Sequence, residues 1–171
     1  IFGAKQWEIQ MLEAMLADLE MAYSENRGRT GPLSLTSLSL DTPPATNVYR
    51  KPAIILVDEF SSSGGDMLPA VLQDHRRVQV VGMRTSGAGG SVVANFGGYY
   101  SEGVLRVTQT LMSRIAPVVT EDLPAAPYVE NIGVRPDIEL DYMTEENLLQ
   151  QGRPFVSQVV EIISRAIREN R

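Results

Sequence analysis

Two short apolar runs, separated by a Gly-containing turn and a helix-like segment, constrain the fold of this chain most. Residues 53–57 read AIILV, without the polar alternation of a half-exposed strand, and Val78–Val81 is predicted to be a second short strand. Gly64 and Gly65 follow the first run, and Asp66–His75 has the pattern of a helix. Strand, helix and strand at this spacing predict a βαβ unit with parallel strands and a right-handed crossover. We therefore predict the α/β class, with the first strand buried on both faces.

Helical spacing of apolar residues predicts two amphipathic helices, over residues 6–24 and 154–168. Between the first helix and the βαβ unit, residues 29–52 are rich in Gly, Pro, Ser and Thr, which is typical of a connector. Near the C-terminus, Thr144 is placed to be the N-cap of a further helix. We interpret the first helix as a packing element.

The segment after the βαβ unit predicts a glycine-rich loop and short strands. Arg84–Gly90 contains three glycines and reads as a loop. A Gly-Gly pair then separates the strand-like Ser91–Phe96 from a second strand-like pair, Tyr99–Tyr100. Val104–Leu111 alternates between apolar and polar residues, so we predict a further strand there.

Length, charge and composition exclude several classes of function. A chain of 171 residues fits one domain or a large piece of one, and a net charge of −6 argues against a general nucleic-acid binder. The absence of Cys excludes disulfides, thiolate metal sites and a Cys nucleophile, and a single His is too few for a His-rich metal site. No apolar stretch approaches the ~20 residues that a membrane span needs. We predict no cofactor, no metal and no membrane span.

Ser63 lies where a strand turns into a helix, and such a joint suits a nucleophilic serine. A nucleophile must be exposed, must have a base to take its proton, and needs backbone N–H groups aimed at the developing oxyanion. The turn exposes the hydroxyl, and the N–H groups of the new helix point outward. Gly64 has no side chain to shield its N–H, so that donor can lie close to an attacked carbonyl. On this local pattern alone, a polar turn that only caps the helix remains open.

The run VDEFSSSGGDMLPAVLQDHRRVQVVGMRTSGAGGSV resembles the nucleophile region of the tail-specific, or C-terminal processing, serine proteases. In that family a buried strand runs into a Ser-rich turn and a helix that ends in Leu-Gln-Asp. Aligning on that tripeptide makes Ser63 the match to the nucleophile and Gly64 the match to the oxyanion donor. Ser61 and Ser62 become turn residues. The resemblance implies a ClpP/crotonase-like spiral of βαβ units.

One departure from the family pattern decides which branch the chain resembles. Most members use a Ser–Lys dyad with the lysine in the glycine-rich loop, but this chain has Ala88 there and no lysine after Lys51. The blocks SGGDMLPA, RTSGAGG and ENIGVRP resemble instead the branch typified by chlamydial protease-like activity factor. That branch uses a Ser–His–Glu apparatus, and Glu130 of the ENIGV block matches its glutamate. In that role the carboxylate would orient the histidine.

Two acidic residues have plainer interpretations. Asp66 lies in the first turn of the predicted helix, where a carboxylate suits the positive end of the helix dipole. We therefore assign Asp66 to the helix and not to the reaction. Without the resemblance, Glu130 reads as an ordinary carboxylate at the end of a strand.

The resemblance implies that the general base is missing from this chain. In the family, the His and the second oxyanion donor come from a segment far upstream of the nucleophile. The only His here, His75, lies about twelve residues after Ser63, which a helical rise of 1.5 Å per residue converts to roughly 15 Å. That is too far for a hydrogen bond, so we assign His75 to the helix C-terminus. The chain begins at Ile1 and not Met, as expected of a fragment or a processed product. Because the base and the second oxyanion donor are missing, we interpret the chain as the C-terminal part of an incomplete catalytic domain.

We therefore expect a serine endopeptidase that acts on peptide or protein substrates. Residues 1–46 would form a helix and connector, and residues 47–171 would form the C-terminal part of the catalytic domain. The resemblance also implies a secreted or periplasmic bacterial location and allows a homodimer. A non-catalytic relative that binds a peptide or another ligand is the alternative. An acyl-CoA enzyme of the crotonase type ranks lower, because it needs no serine at this joint.

The missing base gives a direct prediction for the isolated chain. Residues 1–171 are expected to hydrolyse no peptide, because Ser63 has no imidazole within reach to take its proton. A peptidase assay on the purified chain, with Ser63→Ala as its control, measures this. Cleavage that disappears on Ser63→Ala would contradict the prediction.

Overall fold

The computed structural model describes residues 5–33, 49–118 and 125–169, which form α-helices, short strands and one 3₁₀ turn. In chain order the elements are α1 (Gln6–Ser24), β1 (Ile54–Val57), α2 (Gly64–Asp74), β2 (Gln79–Gly82), β3 (Val92–Phe96), β4 (Val104–Thr108), β5 (Ser113–Val118), β6 (Ala126–Tyr128), β7 (Ile138–Glu139), α3 (Glu145–Leu149) and α4 (Arg153–Glu169). The chain divides into two compact units, Ile1–Tyr49 and Arg50–Arg171. Much of the predicted connector, residues 34–48, lies outside the described part.

The first unit is built on α1, which confirms the helix predicted over residues 6–24. The Glu8 carboxylate accepts a hydrogen bond from the Lys5 N–H at 2.6 Å, which satisfies one of the free N–H groups at the helix start. After the helix, the Gly31 N–H donates to Asp18 at 2.9 Å, and Arg27 pairs with the same carboxylate at 3.5 Å. These contacts turn the chain back along α1.

The second unit contains the predicted βαβ unit. Strands β1 and β2 pair in parallel from Ile54↔Gln79 to Val57↔Gly82, with α2 between them in sequence. Strand β7 pairs in parallel with β2, so the sheet order is β1-β2-β7. The helix begins at Gly64, close to the predicted start. Its Ala70 packs in the core cluster, whose buried members are Val57, Ala70, Val80, Val129 and Val134. The α/β class is therefore confirmed.

The prediction that the first strand is buried on both faces is wrong. Val57 is 6% exposed and belongs to the core cluster, whereas the neighbouring Leu56 is 48% exposed. Successive side chains of a strand point to opposite faces, so the face toward α2 is covered at Val57, whereas the opposite face is open at Leu56. An unbroken apolar sequence indicates that both faces of the strand are suited to burial. It does not determine whether another element packs against each face.

The hairpin of β3 and β4 differs from its prediction at two points. Tyr99 and Tyr100 belong to a 3₁₀ turn and not to a strand. Pairing of Phe96 with Val104 makes the intervening residues a loop, which the Gly97 N–H closes on the Gly103 carbonyl at 2.9 Å. Strand β4 ends at Thr108 because its partner β3 begins opposite that residue. Pairing partners, and not local alternation, therefore set the length of both strands.

Buried charges fasten the β5–β6 ribbon to the carboxyl end of α2. Arg114 of β5 is 9% exposed and forms an ion pair with Asp74, the last residue of α2. It also donates to the Gln73 side chain at 2.9 Å, and Asp74 accepts the Ile115 N–H at 3.1 Å. The ribbon therefore has a fixed position against the helix.

The C-terminal elements agree with the sequence prediction. The Thr144 hydroxyl accepts the Asn147 N–H at 3.2 Å and caps α3, as predicted. The buried Asn147 side chain accepts the Phe155 N–H at 2.9 Å and donates to the Asp141 carbonyl at 3.2 Å. It thereby joins the start of α4 to the chain before α3. Helix α4 spans Arg153–Glu169, close to the predicted range.

Replacing Arg114 by Ala should lower the free energy of unfolding by about 3–5 kcal/mol, because Asp74 would be left buried and unpaired. Arg165→Ala is the matched control, since Arg165 pairs with Glu161 on the exposed surface of α4 at 3.4 Å. That exposed pair should contribute less than about 0.5 kcal/mol. Urea unfolding measures both variants. Equal losses in the two variants would contradict the role given to Arg114.

Candidate active site

Ser63 has a strained backbone and an exposed side chain between β1 and α2. Its φ is 56° and its ψ is −111°, a conformation that favours glycine. Ser63 is the N-cap residue of α2, yet its side chain makes no capping hydrogen bond. The structure therefore does not support the interpretation of Ser63 as only a helix cap. Strain of this kind costs about 1–3 kcal/mol and is concentrated at functional sites.

Ser61, two residues before Ser63, stabilises the turn through hydrogen bonds. Its hydroxyl donates to the Asp58 carboxylate at 2.8 Å and accepts the Asp58 N–H at 3.1 Å. The same carboxylate accepts the Phe60 N–H at 3.1 Å. Ser61 is thus a turn residue, as predicted, and the turn it forms leads directly to Ser63.

Gly64 presents an open backbone donor beside Ser63. It is the first residue of α2, and a Cβ built on it would meet nothing within 4 Å. Within residues 5–33, 49–118 and 125–169, no hydrogen-bond acceptor is found for its N–H. A free N–H at the start of a helix attracts negative charge. The position is therefore suited to the oxyanion donor predicted from the sequence.

Asp66 has a larger role than its predicted interaction with the helix dipole. Its side chain is 0% exposed, and its carboxylate accepts hydrogen bonds from the Thr85 hydroxyl, the Gly87 N–H (3.0 Å) and the Ala88 N–H (2.9 Å). The earlier assignment to the helix alone is therefore corrected. One sequence signal pointed to this contact, because Asp66 and Thr85 both follow strands that pair in parallel, and such strands end at one edge of the sheet.

The glycine-rich loop contacts the turn at Ser63 through its backbone. The Ser63 N–H donates to the Ala88 carbonyl at 3.2 Å, and the Ser86 N–H donates to the Ser61 carbonyl at 2.9 Å. Gly87 has a φ of +74°, and a Cβ there would lie 2.7 Å from the Gly133 nitrogen. Glycine at position 87 therefore lets the loop pack closely against the ENIGV segment.

Glu130 lies at the other side of the same loop. It follows β6 and is partly buried, and its carboxylate accepts the Gly90 N–H at 3.0 Å and the Thr108 hydroxyl at 2.9 Å. The loop residues that contact Ser63 and Glu130, Ala88 and Gly90, are two positions apart and span at most about 7 Å. The structure thus brings the two predicted residues to one loop. A carboxylate has about four acceptor sites, so Glu130 can accept a further donor.

His75 is not brought to Ser63. It is the C-cap residue of α2, at the end of the helix opposite Ser63, and its side chain is exposed. The predicted assignment of His75 to the helix C-terminus is confirmed. No residue of the described part of the chain forms a hydrogen bond with the Ser63 hydroxyl.

Tyr142 is a further titratable residue, and the acidic residues that follow β1 affect the pKa of its hydroxyl. Desolvation raises the pKa of its hydroxyl above the ordinary value, and the negative charges of Glu59, Asp58 and Asp141 raise this pKa further. The hydroxyl is therefore protonated at neutral pH, and Tyr142 does not supply a general base.

The described residues contain no group of three or more His, Cys, Asp and Glu side chains arranged to hold a metal ion. None of the helices in the described segments has both the length and the apolar character required to cross a bilayer.

Comparison with known proteins identifies the family. The model of peptidase family S41 matches residues 3–140, which include Ser63, the glycine-rich loop and Glu130. The chain belongs to peptidase family S41. This confirms the resemblance to the C-terminal processing proteases.

Individual relatives place the chain in the branch of the S41 family that is typified by chlamydial protease-like activity factor (CPAF). A protein of Chlamydia pneumoniae is 30% identical over 140 residues, which are 81% of this chain and 21% of that protein. The carboxy-terminal-processing protease of Bartonella bacilliformis is 29% identical over 93 residues, 54% of this chain and 19% of that protein. The crystal structure of mature CPAF matches with a TM-score of 0.72 and 25% identity over 94% of this chain and 29% of that one. The chain therefore spans about a fifth to three tenths of the length of these relatives.

Proposed function

We propose that the S41 protein containing this chain is a serine endopeptidase in which Ser63 is the nucleophile. The observation that carries the proposal is the strained, exposed Ser63, whose backbone is bound to the same loop as the Glu130 carboxylate. A sharp and strained turn from strand to helix is the conformation in which a serine hydroxyl stands free for attack. The exposed Ser63, the Gly64 donor and the nearby carboxylate together fit acyl transfer.

The reaction proceeds in two acyl-transfer steps. The Ser63 hydroxyl oxygen attacks the peptide carbonyl and gives its proton to an imidazole, forming a tetrahedral oxyanion. The Gly64 N–H stabilises this oxyanion, and one such donor is typically worth about 3 kcal/mol. The imidazolium then protonates the leaving amine, the C–N bond breaks, and Ser63 carries the acyl group. Water, deprotonated by the same imidazole, hydrolyses the ester and restores the Ser63 hydroxyl.

The base in this proposal is a histidine supplied by a part of the polypeptide upstream of the chain. Ala88 stands where the Ser–Lys members of the family have their lysine, and His75 lies at the far end of α2. Glu130 would accept the N–H of the imidazole ring that faces away from Ser63 and so fix its orientation. This role uses an acceptor site of the carboxylate beyond those bound by Gly90 and Thr108.

The architecture proposed for the complete catalytic domain is a spiral of βαβ units. The β1-α2-β2 unit and the parallel β7 would form one part of it. The half-exposed Leu56 on the open face of β1 supports cover by another part of the domain. Peptide or protein substrates, a homodimer and a location outside the bacterial cytoplasm belong to the same proposal.

Ser63→Ala in the full-length protein should abolish peptidase activity and labelling by a fluorophosphonate, because both depend on the Ser63 oxygen. Ser62→Ala is the matched control, since it removes the neighbouring hydroxyl and should leave labelling unchanged. Mass spectrometry of the labelled peptide identifies the modified serine. A folded protein that is not labelled at Ser63 would instead favour a non-catalytic relative that binds a ligand.

Glu130→Gln tests the carboxylate separately. The amide can still accept one of the present hydrogen bonds, but it cannot stabilise an imidazolium by charge. We expect kcat to fall by about 10⁴-fold. Glu139→Gln at the end of β7 makes the same change of charge at an exposed position and should leave kcat unchanged. Normal kcat in Glu130→Gln, with activity still dependent on Ser63, would remove Glu130 from the mechanism.

A further inference from the structure

We infer that Asp66 is a positioning residue that orients the glycine-rich loop between Ser63 and Glu130, an inference that rests on the proposed function. Asp66 lies three residues after Ser63 in α2, and its side chain is fully buried. Burial of a carboxylate is unfavourable unless hydrogen bonds compensate. The Thr85 hydroxyl and the N–H groups of Gly87 and Ala88 provide them.

The two backbone contacts of Asp66 set the orientation of the loop peptides. With the N–H groups of Gly87 and Ala88 directed at Asp66, neither can serve an oxyanion. The carbonyl groups of the same two residues bind elsewhere: that of Ala88 accepts the Ser63 N–H at 3.2 Å, and that of Gly87 accepts the Asn131 N–H at 2.8 Å. The Ala88 N–H and the Gly87 carbonyl belong to one planar peptide unit, so Asp66 directly orients the acceptor of the Asn131 N–H. The Ala88 carbonyl, which accepts the Ser63 N–H, lies in the next peptide unit along the loop.

Thr85 extends this network to the other side of the site. It is 1% exposed, and its hydroxyl donates to Asp66 and accepts the Val134 N–H at 2.7 Å. The Thr85 N–H also donates to the Val134 carbonyl at 3.1 Å. The pair of Asp66 and Thr85 thus connects α2, which begins after Ser63, to the segment that follows Glu130.

A purely structural role and a positioning role make different predictions. A structural residue would affect folding and leave the reactivity of the folded protein unchanged. A positioning residue would lower the reactivity of Ser63 in protein that is folded. A displacement of about 1 Å at a reacting group can cost about 100-fold in rate.

Asp66→Asn in the full-length protein is the sharpest test, because it conserves size. The amide oxygen can still accept from Thr85 and Gly87, but the amide nitrogen would face the Ala88 N–H, donor against donor. We expect kcat and the rate of fluorophosphonate labelling to fall by about 100-fold. KM should change little, and hydrogen exchange at Gly87 and Ala88 should accelerate.

Three further variants separate geometry from stability. Thr85→Val conserves volume and removes the hydroxyl, so it should also slow labelling. Thr85→Ser retains the hydroxyl and should recover most of the rate lost in Thr85→Val. Val80→Ala, at a fully buried core position outside the network, should destabilise the fold without slowing the labelling of folded protein.

The outcomes are distinguishable. If Asp66→Asn is labelled as fast as Val80→Ala, or exchanges no faster at Gly87 and Ala88, the inference about Asp66 is overturned. The proposed function would still stand, provided that activity depends on Ser63. If the wild-type protein is not labelled at Ser63, the proposed function itself fails, and the inference fails with it.

Discussion

The buried carboxylate of Asp66 is the constraint on which the geometry of the candidate site depends. It is shielded from water, and an ionised group in that position is tolerated only when donors surround it. Those donors belong to Thr85, Gly87 and Ala88, all of which come after β2 in the chain. The carboxylate therefore forces the glycine-rich loop to lie against the start of α2, and this is how Ser63 acquires an acceptor for its backbone N–H.

Helix α2 is held by acidic residues near both of its ends. Asp66 binds the loop near the amino end, and Asp74 binds Arg114 of β5 at the carboxyl end. The ribbon of β5 and β6 leads in turn to Glu130. The two residues proposed for the chemistry are thus connected by two routes, one through the loop and one through the helix and ribbon. Both routes combine hydrogen bonds with buried charge, which makes them geometrically specific.

The sequence was sufficient for those features that depend on local pattern. The helices, the βαβ unit, the Thr144 cap and the joint at Ser63 each follow from periodicity or from residues a few positions apart. The start predicted for α2, at Asp66, lies two residues after the observed start at Gly64. The resemblance then supplied Glu130, which no local pattern marks out. Its contact with the loop through Gly90 depends on residues 40 positions apart.

Features that depend on distant partners were missed. The exposure of Leu56 depends on which elements cover β1, and the 3₁₀ turn at Tyr99 depends on the pairing of Phe96 with Val104. The role of Asp66 was assigned too narrowly because its partners lie about 20 residues further along the chain. Their meeting follows from the geometry of parallel strands, which end at the same edge of a sheet.

The backbone of Ser63 has a consequence for the evolution of this segment. A serine at φ 56° and ψ −111° carries strain that a glycine would not. Glycine would therefore give a more stable turn here, and selection for stability alone would favour replacement of the serine by glycine. Persistence of the serine in descendants of this sequence would thus record selection for reactivity, at the expense of thermal tolerance.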